Sequence, residues 1–445
     1  MRHIIGLGLI VGLVLGQPAV WAQADTTASG LKPGMVLGKD NCELAKNLLP
    51  PEILRHYCSG EYANKIIDWP LGIYKWDPRF KDASLANAGR YLVDEDGSVV
   101  DIQTRAQPPL IYGLPFPAID SAAPTAGAQI VWNYQYQNWN EGTLHNVALL
   151  SWVNPQGRDR EAVQDVRFMF YDGQDPQHRV ANPNNFSAQF IAVATSPADL
   201  NGTAALTWRF RDAAKRDSNW VYVPALRRVR AVSPANRSDG FLGSDMSQDD
   251  GPFFDGKLED FTWKLVGEAE MLRLVDPLSF EGKGEKMRLP DGGWRAMWPD
   301  LAVVGFEDPK WKGVAWAPIA AALARRPCWI VEAIPKDKYY LFGKLHLYID
   351  KETFQGAWNR KFDWNGELLN TLQVVAYQKL EVARADGPPE YIFRSNFAYQ
   401  CAENVRTNRA TVGGMLPKGR DVANDRRVTY DPSLFDASML QRFGK

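Results

Sequence analysis

Apolar and polar residues alternate with a period of two through most of the chain after residue 112. In the stretch 128–139, Ile130, Trp132, Tyr134 and Tyr136 alternate with polar residues. Because successive side chains of a β-strand point to opposite faces, this pattern predicts a strand. Similar alternation predicts further strands at 147–153, 163–171, 205–211, 220–223, 261–266, 329–333, 344–349, 354–361 and 372–381.

Short turns separate many of these segments, among them Asn201-Gly202 and Asn365-Gly366. Such dipeptides are typical of hairpins, so we predict a mainly β fold: a large curved antiparallel sheet forming an unclosed half-barrel with a few covering helices. The helix candidates are few and lie at 43–49, 196–200 and 319–324. The predicted organisation is a signal peptide at 1–24, an irregular N-terminal arm at 25–110, the half-barrel at 111–400 and a C-terminal tail packing on it at 401–445.

One face of the predicted sheet is apolar and aromatic, and the predicted helices are too few to cover it. Such a face must be covered by helices, by a loop or by a bound apolar molecule, which predicts a hydrophobic cavity. Polar groups near Arg209 and Arg228 could hold an anionic headgroup at its edge. The alternative is that the aromatic residues pack against protein alone. The candidate ligand-binding residues are Trp132, Tyr134, Phe168, Phe170, Trp208, Phe210, Trp263 and Leu347.

The N-terminus has the pattern of a secretory signal peptide. Arg2 precedes an apolar run at 4–15, and small residues at Ala22 and Ala24 offer a cleavage site. The apolar run is shorter than the roughly 20 residues that a membrane-spanning helix needs. No cysteine follows the cleavage site to accept a lipid, so we predict an exported, periplasmic protein that is not a lipoprotein.

Four cysteines, an even number in a chain predicted to be exported, favour disulfide bonds. We predict the pairs Cys42–Cys58, which closes a short loop, and Cys328–Cys401, which would join two late strands. A zinc site is the alternative, although no two cysteines have the CxxC spacing typical of zinc ligands.

Charge and motifs exclude several classes of function. Lys and Arg total 51 against 52 Asp and Glu, so no basic excess favours nucleic acid as a partner. GxSxG, HExxH, P-loop and Rossmann glycine patterns are missing from the sequence. We therefore predict no catalytic residues, no cofactor and no metal. An enzyme acting on an apolar substrate is the alternative, with His145, Glu141 and Asp165 as its candidate acids and bases.

Two polar segments are each open to more than one interpretation. The acidic stretch 238–255 has the oxygen ligands that calcium prefers, but not the spacing of an EF-hand. The basic run 227–230 could meet anionic lipid or a partner, or could protect a sheet edge. Together with the loop 243–245, this run is the candidate surface of an envelope docking or assembly protein without cargo.

Several ordered stretches carry a family resemblance. The sequence WVYVPALRRVR at 220–230 is followed by DGFLGSDMS at 239–247. YGLPFP at 112–117, RPCWIVEA at 326–333 and LYIDKE at 347–352 agree with it. Together they resemble domain-of-unknown-function family 1329, in the LolA/LolB-like superfamily of outer-membrane lipoprotein-sorting-like proteins.

The resemblance implies an unclosed antiparallel barrel around a hydrophobic cavity. It also implies a periplasmic carrier of lipid or other hydrophobic cargo, with an inner-membrane RND-type transporter or an outer-membrane acceptor as partner. It carries over no catalytic residue. The N-terminal arm with Cys42 and Cys58 has no counterpart in the family pattern.

Overall fold

One large β-sheet organises the molecule. The computed structural model describes residues 30–69, 76–280, 285–297, 303–377, 380–383, 387, 389–392, 397–417 and 422–443. The strands are β1 (Val36–Leu37), β2 (Asn64–Ile67), β3 (Tyr91–Val93), β4 (Val99–Asp101), β5 (Leu144–Asn154), β6 (Gly157–Phe170), β7 (Phe186–Ser196), β8 (Ala204–Phe210), β9 (Ser218–Val223), β10 (Arg228–Val232), β11 (Phe261–Val275), β12 (Glu285–Arg288), β13 (Trp294–Met297), β14 (Ala322–Pro335), β15 (Lys344–Asp350), β16 (Gly356–Phe362), β17 (Leu368–Ala376), β18 (Leu380–Val382), β19 (Glu390–Ile392), β20 (Phe397–Asn404), β21 (Arg409–Met415) and β22 (Asn424–Arg426). The α-helices are α1 (Pro51–Ser59), α2 (Pro78–Ala86), α3 (Ala126–Trp139), α4 (Pro277–Phe280) and α5 (Leu440–Phe443).

Antiparallel pairing runs through the sheet in the order β11, β14, β15, β16, β17, β20, β21, β5, β6, β7, β8, β9 and β10. Strand β2 adds a parallel pairing to β14. Among the described residues β10 pairs with β9, and β11 pairs with β14 and β17, but β10 and β11 do not pair with each other, so the sheet stays open. The prediction of a mainly β fold built on one large unclosed sheet is confirmed.

Helix α3 occupies the stretch 126–139, where the alternation predicts a strand, so that prediction is wrong. From Ile130 to Trp139 every residue of the helix is buried. A helix enclosed on all sides needs no polar face, so its sequence lacks the 3.6-residue period that reveals an amphipathic helix. One of its polar residues is paired inside the protein: the Asn133 amide donates to the Phe116 carbonyl and accepts from the Phe116 N–H.

We call the face of the sheet against which α3 packs the inner face. Residues 233–260, which link β10 to β11, cross this face, and we call them the crossing segment. The Asp245 N–H donates to the Thr411 hydroxyl of β21 at 2.9 Å, and the Phe253 N–H donates to the Gln400 side chain of β20 at 3.0 Å. The crossing segment therefore covers the inner face and joins the two ends of the open sheet.

The outer face is covered by both ends of the chain. The N-terminal arm contributes α1, which begins at Pro51, so the helix predicted at 43–49 is replaced by a 3₁₀ turn (Cys42–Ala45) and α1. Proline at the first helical position lacks only an N–H that would have no partner there, and it therefore starts a helix. The arm is also less irregular than predicted, because β2 joins the sheet.

Three other segments predicted from the sequence differ from those in the structure. Residues 319–324 run into β14, and 196–200 form the end of β7 and a turn, so neither stretch is the predicted helix. Part of the predicted tail, 401–445, lies in the sheet as β21 and β22. The signal peptide predicted at 1–24 lies outside the described residues. None of the helices in the described part of the chain is long and apolar enough to cross a membrane.

The disulfide Cys42–Cys58 is confirmed and fastens the arm's 3₁₀ turn to α1. The predicted bond between Cys328 and Cys401 is wrong, since both are free and buried thiols. They lie on β14 and β20, and among the described residues these two strands do not pair with each other. A disulfide needs Cα atoms within about 7 Å. Burial raises the pKa of both thiols.

Three strands meet at a buried ionic cluster on β11, β14 and β15. The Asp350 carboxylate accepts from Arg273 at 3.1 Å and from Arg326 at 2.7 Å, and all three side chains are buried. Burial alone would raise the pKa of Asp350, but the two guanidinium groups outweigh it and lower the pKa. The N–H groups of Glu352 and Thr353 donate to the same carboxylate at 2.9 Å. The aspartate thus pairs with two buried cations, and Glu352, at 2.8 Å from Arg326, supplies the second negative charge.

A second buried ionic group holds α1 on the sheet. His56 Nδ1 lies 2.7 Å from Glu61, and its Nε2 lies 2.8 Å from Glu403 of β20. Burial would lower the pKa of His56, but the hydrogen bonds and charges of the two carboxylates outweigh burial and raise the pKa. The imidazolium form can donate to both carboxylates at once.

We expect His56→Gln to lower the free energy of unfolding by about 1.5–3 kcal/mol at pH 6, where the histidine is charged. A folded-state pKa above the unfolded value gives stability below about pH 6.5, which is lost as pH rises through the folded-state pKa. The difference in free energy of unfolding between wild type and variant should therefore become smaller from pH 6 to pH 9. Urea denaturation at several pH values measures this difference. The exposed His178 supplies the control His178→Gln. A free-energy difference that grows with pH would contradict the pairing of a charged His56 with the two carboxylates.

Candidate functional site

A cavity of about 200 Å³ lies between the inner face of β5–β8, the C-terminal end of α3 and the crossing segment. It is larger than an engineered apolar cavity of about 150 Å³ that stays dry and binds benzene. Most of its wall is apolar. The main apolar contributors are Leu150, Phe168, Phe170, Phe190, Ala192 and Met246.

The strand periodicity explains this wall. Val166, Phe168 and Phe170 of β6 have the same parity and therefore point to one face, and all three line the cavity. The ring centroid of Phe168 lies 5.8 Å from that of Phe170 and 5.5 Å from that of Phe190 on β7. These rings pack at the spacing of favourable aromatic pairs and form one continuous apolar surface.

Small residues create the space beside these rings. Ala148 on β5, Ala192 on β7 and Ala205 on β8 also line the cavity. Ala192 and Ala205 face each other in the β7–β8 register, so two neighbouring positions carry a methyl group where larger side chains would fill the volume. The cavity is therefore a property of the strand sequences, and the crossing segment covers it.

One end of the cavity carries a buried charge network. Arg237 of the crossing segment contacts Asp249 at 2.7 Å, Asp255 at 2.8 Å and the Thr207 hydroxyl at 3.0 Å. Arg209 of β8 also contacts Asp255, at 3.1 Å. Burial raises the pKa of Asp255, although both arginines act in the opposite direction. The network attaches the crossing segment to the sheet beside the cavity.

The other end carries a second buried pair. Glu141, which follows α3, lies 3.4 Å from Arg426 of β22. Arg426 also donates to the side chains of Asn146 at 2.6 Å and Asn424 at 3.3 Å. Burial lowers the pKa of Arg426 in spite of the nearby carboxylate. Both ends of the cavity therefore combine a cation with a carboxylate.

The structure separates the eight predicted ligand-binding residues. Phe168 and Phe170 line the main cavity. Trp132 and Phe210 border a smaller pocket of about 30 Å³, beside Glu259, whose pKa is raised to about 7 by burial.

The other four candidates lie elsewhere. Tyr134, Trp263 and Leu347 belong to the inner core, where the Tyr134 hydroxyl donates to the Pro252 carbonyl at 2.6 Å. Trp208 packs on the outer side, and its indole N–H donates to the Phe435 carbonyl at 2.7 Å.

Sequence reasoning missed the cavity residues of β7 and of the crossing segment. Strand β7 alternates Ala188, Phe190, Ala192 and Ala194 on one face, a period-two pattern that could have revealed it. No comparable pattern exists for the crossing segment, because its residues are placed by irregular backbone.

The candidate residues for catalysis and for docking do not converge on the cavity. His145 Nε2 contacts both carboxylate oxygens of Asp165 at 3.1 Å, but neither residue lines the cavity, whereas Glu141 does. The basic run 227–230 is on the exposed edge strand β10, while the Asp245 carboxylate accepts from Asn404 of β20 at 3.0 Å. The two parts of the candidate docking surface therefore differ, since the basic run is at an exposed edge and Asp245 of the loop is hydrogen-bonded to the sheet.

The acidic stretch is accounted for by internal ion pairs. Asp249 and Asp255 contact Arg237, and Asp250 contacts Lys361 of β16 at 2.5 Å. Asp250, and Asp255 through Arg209 of β8, therefore join the crossing segment to the sheet.

An open antiparallel sheet, a buried helix and a crossing segment that enclose an apolar cavity define this chain as a cavity-containing β half-barrel. The family model described as "Protein of unknown function (DUF1329)" matches residues 73–431. Since this match covers most of the chain, the protein belongs to that family, which confirms the resemblance seen in the sequence.

Solved structures from three bacteria are among those similar to this chain. A putative outer membrane lipoprotein-sorting protein domain from Vibrio parahaemolyticus is 16% identical, with a TM-score of 0.44, over 72% of this chain and 100% of that one. A DUF1329 family protein from Desulfovibrio piger is 18% identical, with a TM-score of 0.45, over 71% and 98%. The LolA superfamily protein NE2245 from Nitrosomonas europaea is 12% identical, with a TM-score of 0.37, over 70% and 97%. Comparison with proteins of curated function finds no significant match.

Proposed function

We propose that this protein is a periplasmic carrier that binds a lipid or other hydrophobic molecule in the cavity between β5–β8 and the crossing segment. The observation that carries the proposal is the apolar cavity of about 200 Å³, whose wall is built from the rings of Phe168, Phe170 and Phe190. Transfer of each methylene group from water to such a site contributes about 0.8 kcal/mol, so part of an acyl chain is enough for binding.

Carriage fits the arrangement better than catalysis. A binding site for apolar cargo needs a wall, a cover and few polar groups, and the cavity has all three. An enzyme would need an acid or base held towards a bound substrate, whereas Glu141 is engaged with Arg426 and the His145–Asp165 pair lies outside the lining. Export by the signal peptide predicted at 1–24 and delivery to an RND-type transporter or an outer-membrane acceptor are further parts of the proposal.

The proposal is tested by purifying the protein natively from the periplasm and analysing an organic extract by mass spectrometry. The expected result is one class of apolar compound in near-stoichiometric amount. The emptied protein should then bind the neutral fluorophore N-phenylnaphthylamine with an increase in fluorescence. Protein that is empty when purified and also fails to bind this fluorophore would rule out carriage.

A further inference from the structure

The charged groups that border the cavity are all engaged with each other. Arg237 is held by Asp249, Asp255 and the Thr207 hydroxyl, and Arg426 is held by Glu141 and its neighbours. A ligand carboxylate or phosphate would find each guanidinium already paired, with carboxylates beside it. The anionic headgroup that the sequence suggested near Arg209 meets the same obstacle, because Arg209 contacts Asp217 at 2.8 Å and Asp255 at 3.1 Å.

A ligand with a cationic headgroup would also find no unpaired carboxylate among the described lining residues. The carboxylates of Glu141 and Asp255 at the cavity ends are matched to Arg426 and to Arg209 and Arg237. Burying an unpaired charge is far more costly than burying a neutral polar group, and displacing one partner of a buried ion pair leaves the other uncompensated. Among the described lining residues, therefore, no charge is left over for a charged ligand.

A neutral side-chain amide faces the cavity with no partner for its N–H groups among the described residues. Gln164 of β6 lines the cavity on the same face as Val166 and Phe168, and its Nε2 is buried and makes no hydrogen bond to any described residue. Its neighbours in register are Ala148 of β5 and Ala194 of β7, whose methyl groups offer no acceptor. A buried amide donor without an acceptor costs about 1–3 kcal/mol.

We infer that the cargo is a neutral amphiphile whose hydroxyl, ester or amide oxygen accepts a hydrogen bond from Gln164 Nε2 while its hydrocarbon part lies against Phe168, Phe170 and Phe190. This inference rests on the proposed function and names the chemical class of the cargo. The acceptor oxygen satisfies the amide, and the absence of ligand charge leaves the ion pairs at both ends of the cavity intact.

The test uses decanol, decanoate and decylamine, which share one chain length and differ in headgroup charge at pH 7.5. Each displaces N-phenylnaphthylamine from the full mature chain. Decanol is expected to bind about tenfold or more tightly than either charged analogue. Gln164→Leu should weaken decanol binding by about threefold to tenfold, the equivalent of one hydrogen bond, relative to the affinity of the same variant for N-phenylnaphthylamine. Gln103→Leu, at an exposed position, is the matched control.

The outcomes separate the inference from the function on which it rests. Binding of decanoate or decylamine as tightly as decanol would overturn neutrality while leaving carriage in place. A decanol affinity that is unchanged in Gln164→Leu, relative to the affinity for N-phenylnaphthylamine, would overturn the role of that amide. Failure of the wild-type protein to bind the fluorophore and all three ligands would instead remove the proposed function.

Discussion

Replacing Ala192 by phenylalanine is expected to lower the affinity for N-phenylnaphthylamine by about tenfold or more, which corresponds to about 1.4 kcal/mol or more. The Ala192 side chain lines the cavity on β7, beside the ring of Phe190. A benzyl group there would take up much of the space that a ligand needs, and it would extend into a cavity instead of into packed core. The fold should therefore survive while binding is lost.

The measurement is a fluorescence titration, with circular dichroism and urea denaturation to establish that the variant is folded. Ala88→Phe introduces the same side chain at an exposed position outside the cavity and should bind as wild type does. A folded Ala192→Phe protein with wild-type affinity would show that the ligand binds elsewhere.

Asp350→Ala is expected to lower the free energy of unfolding by about 3–5 kcal/mol, the usual cost of removing one partner from a buried ion pair. The substitution leaves the guanidinium groups of Arg273 and Arg326 buried and without their shared carboxylate. It also removes the acceptor for two backbone N–H groups in the turn after β15. Three strands of the sheet would lose their common anchor.

Chemical denaturation at pH 7 measures this loss. Asp199→Ala breaks a pair with Arg160 in which the Asp199 side chain is 68% exposed, and it should cost less than about 1 kcal/mol. Asp350→Asn, which keeps the shape and one acceptor oxygen, should fall between the two and provides a measurement if the alanine variant does not fold. Equal effects at Asp350 and Asp199 would contradict the role of burial.

The sheet was predictable from sequence because strand periodicity is local. The pattern at 163–171 identifies β6 and correctly places Phe168 and Phe170 on one face. Its limit is visible in β8, where Leu206 and Trp208 form the apolar face but pack on the outer side. The cavity takes the opposite face, with Ala205 and Thr207. Where both faces of a sheet are covered, hydrophobicity alone does not distinguish the inner face from the outer one.

Helix α3 and the pairing of the charged residues beside the cavity could not be predicted from the sequence, for a related reason. A helix buried on every side mixes Trp132 and Tyr134 with Asn133 and Gln135 without an amphipathic stripe, so its alternation imitates a strand. The acidic stretch around Asp249 suggested calcium because Arg237 and Arg209, which pair with its carboxylates, lie 12 to 46 residues away in sequence. Tertiary pairing decides the role of such groups, and local patterns contain no record of it.

The pairing of β5 with β21 has a consequence for the order in which the protein acquires its structure. Val153 of β5 is in register with Ala410 of β21, so the middle of the sheet joins segments that are separated by most of the chain. Closing so long a loop is slow, and high contact order delays folding. The sheet around β5–β8 therefore cannot be completed until the last strands of the chain have been synthesised.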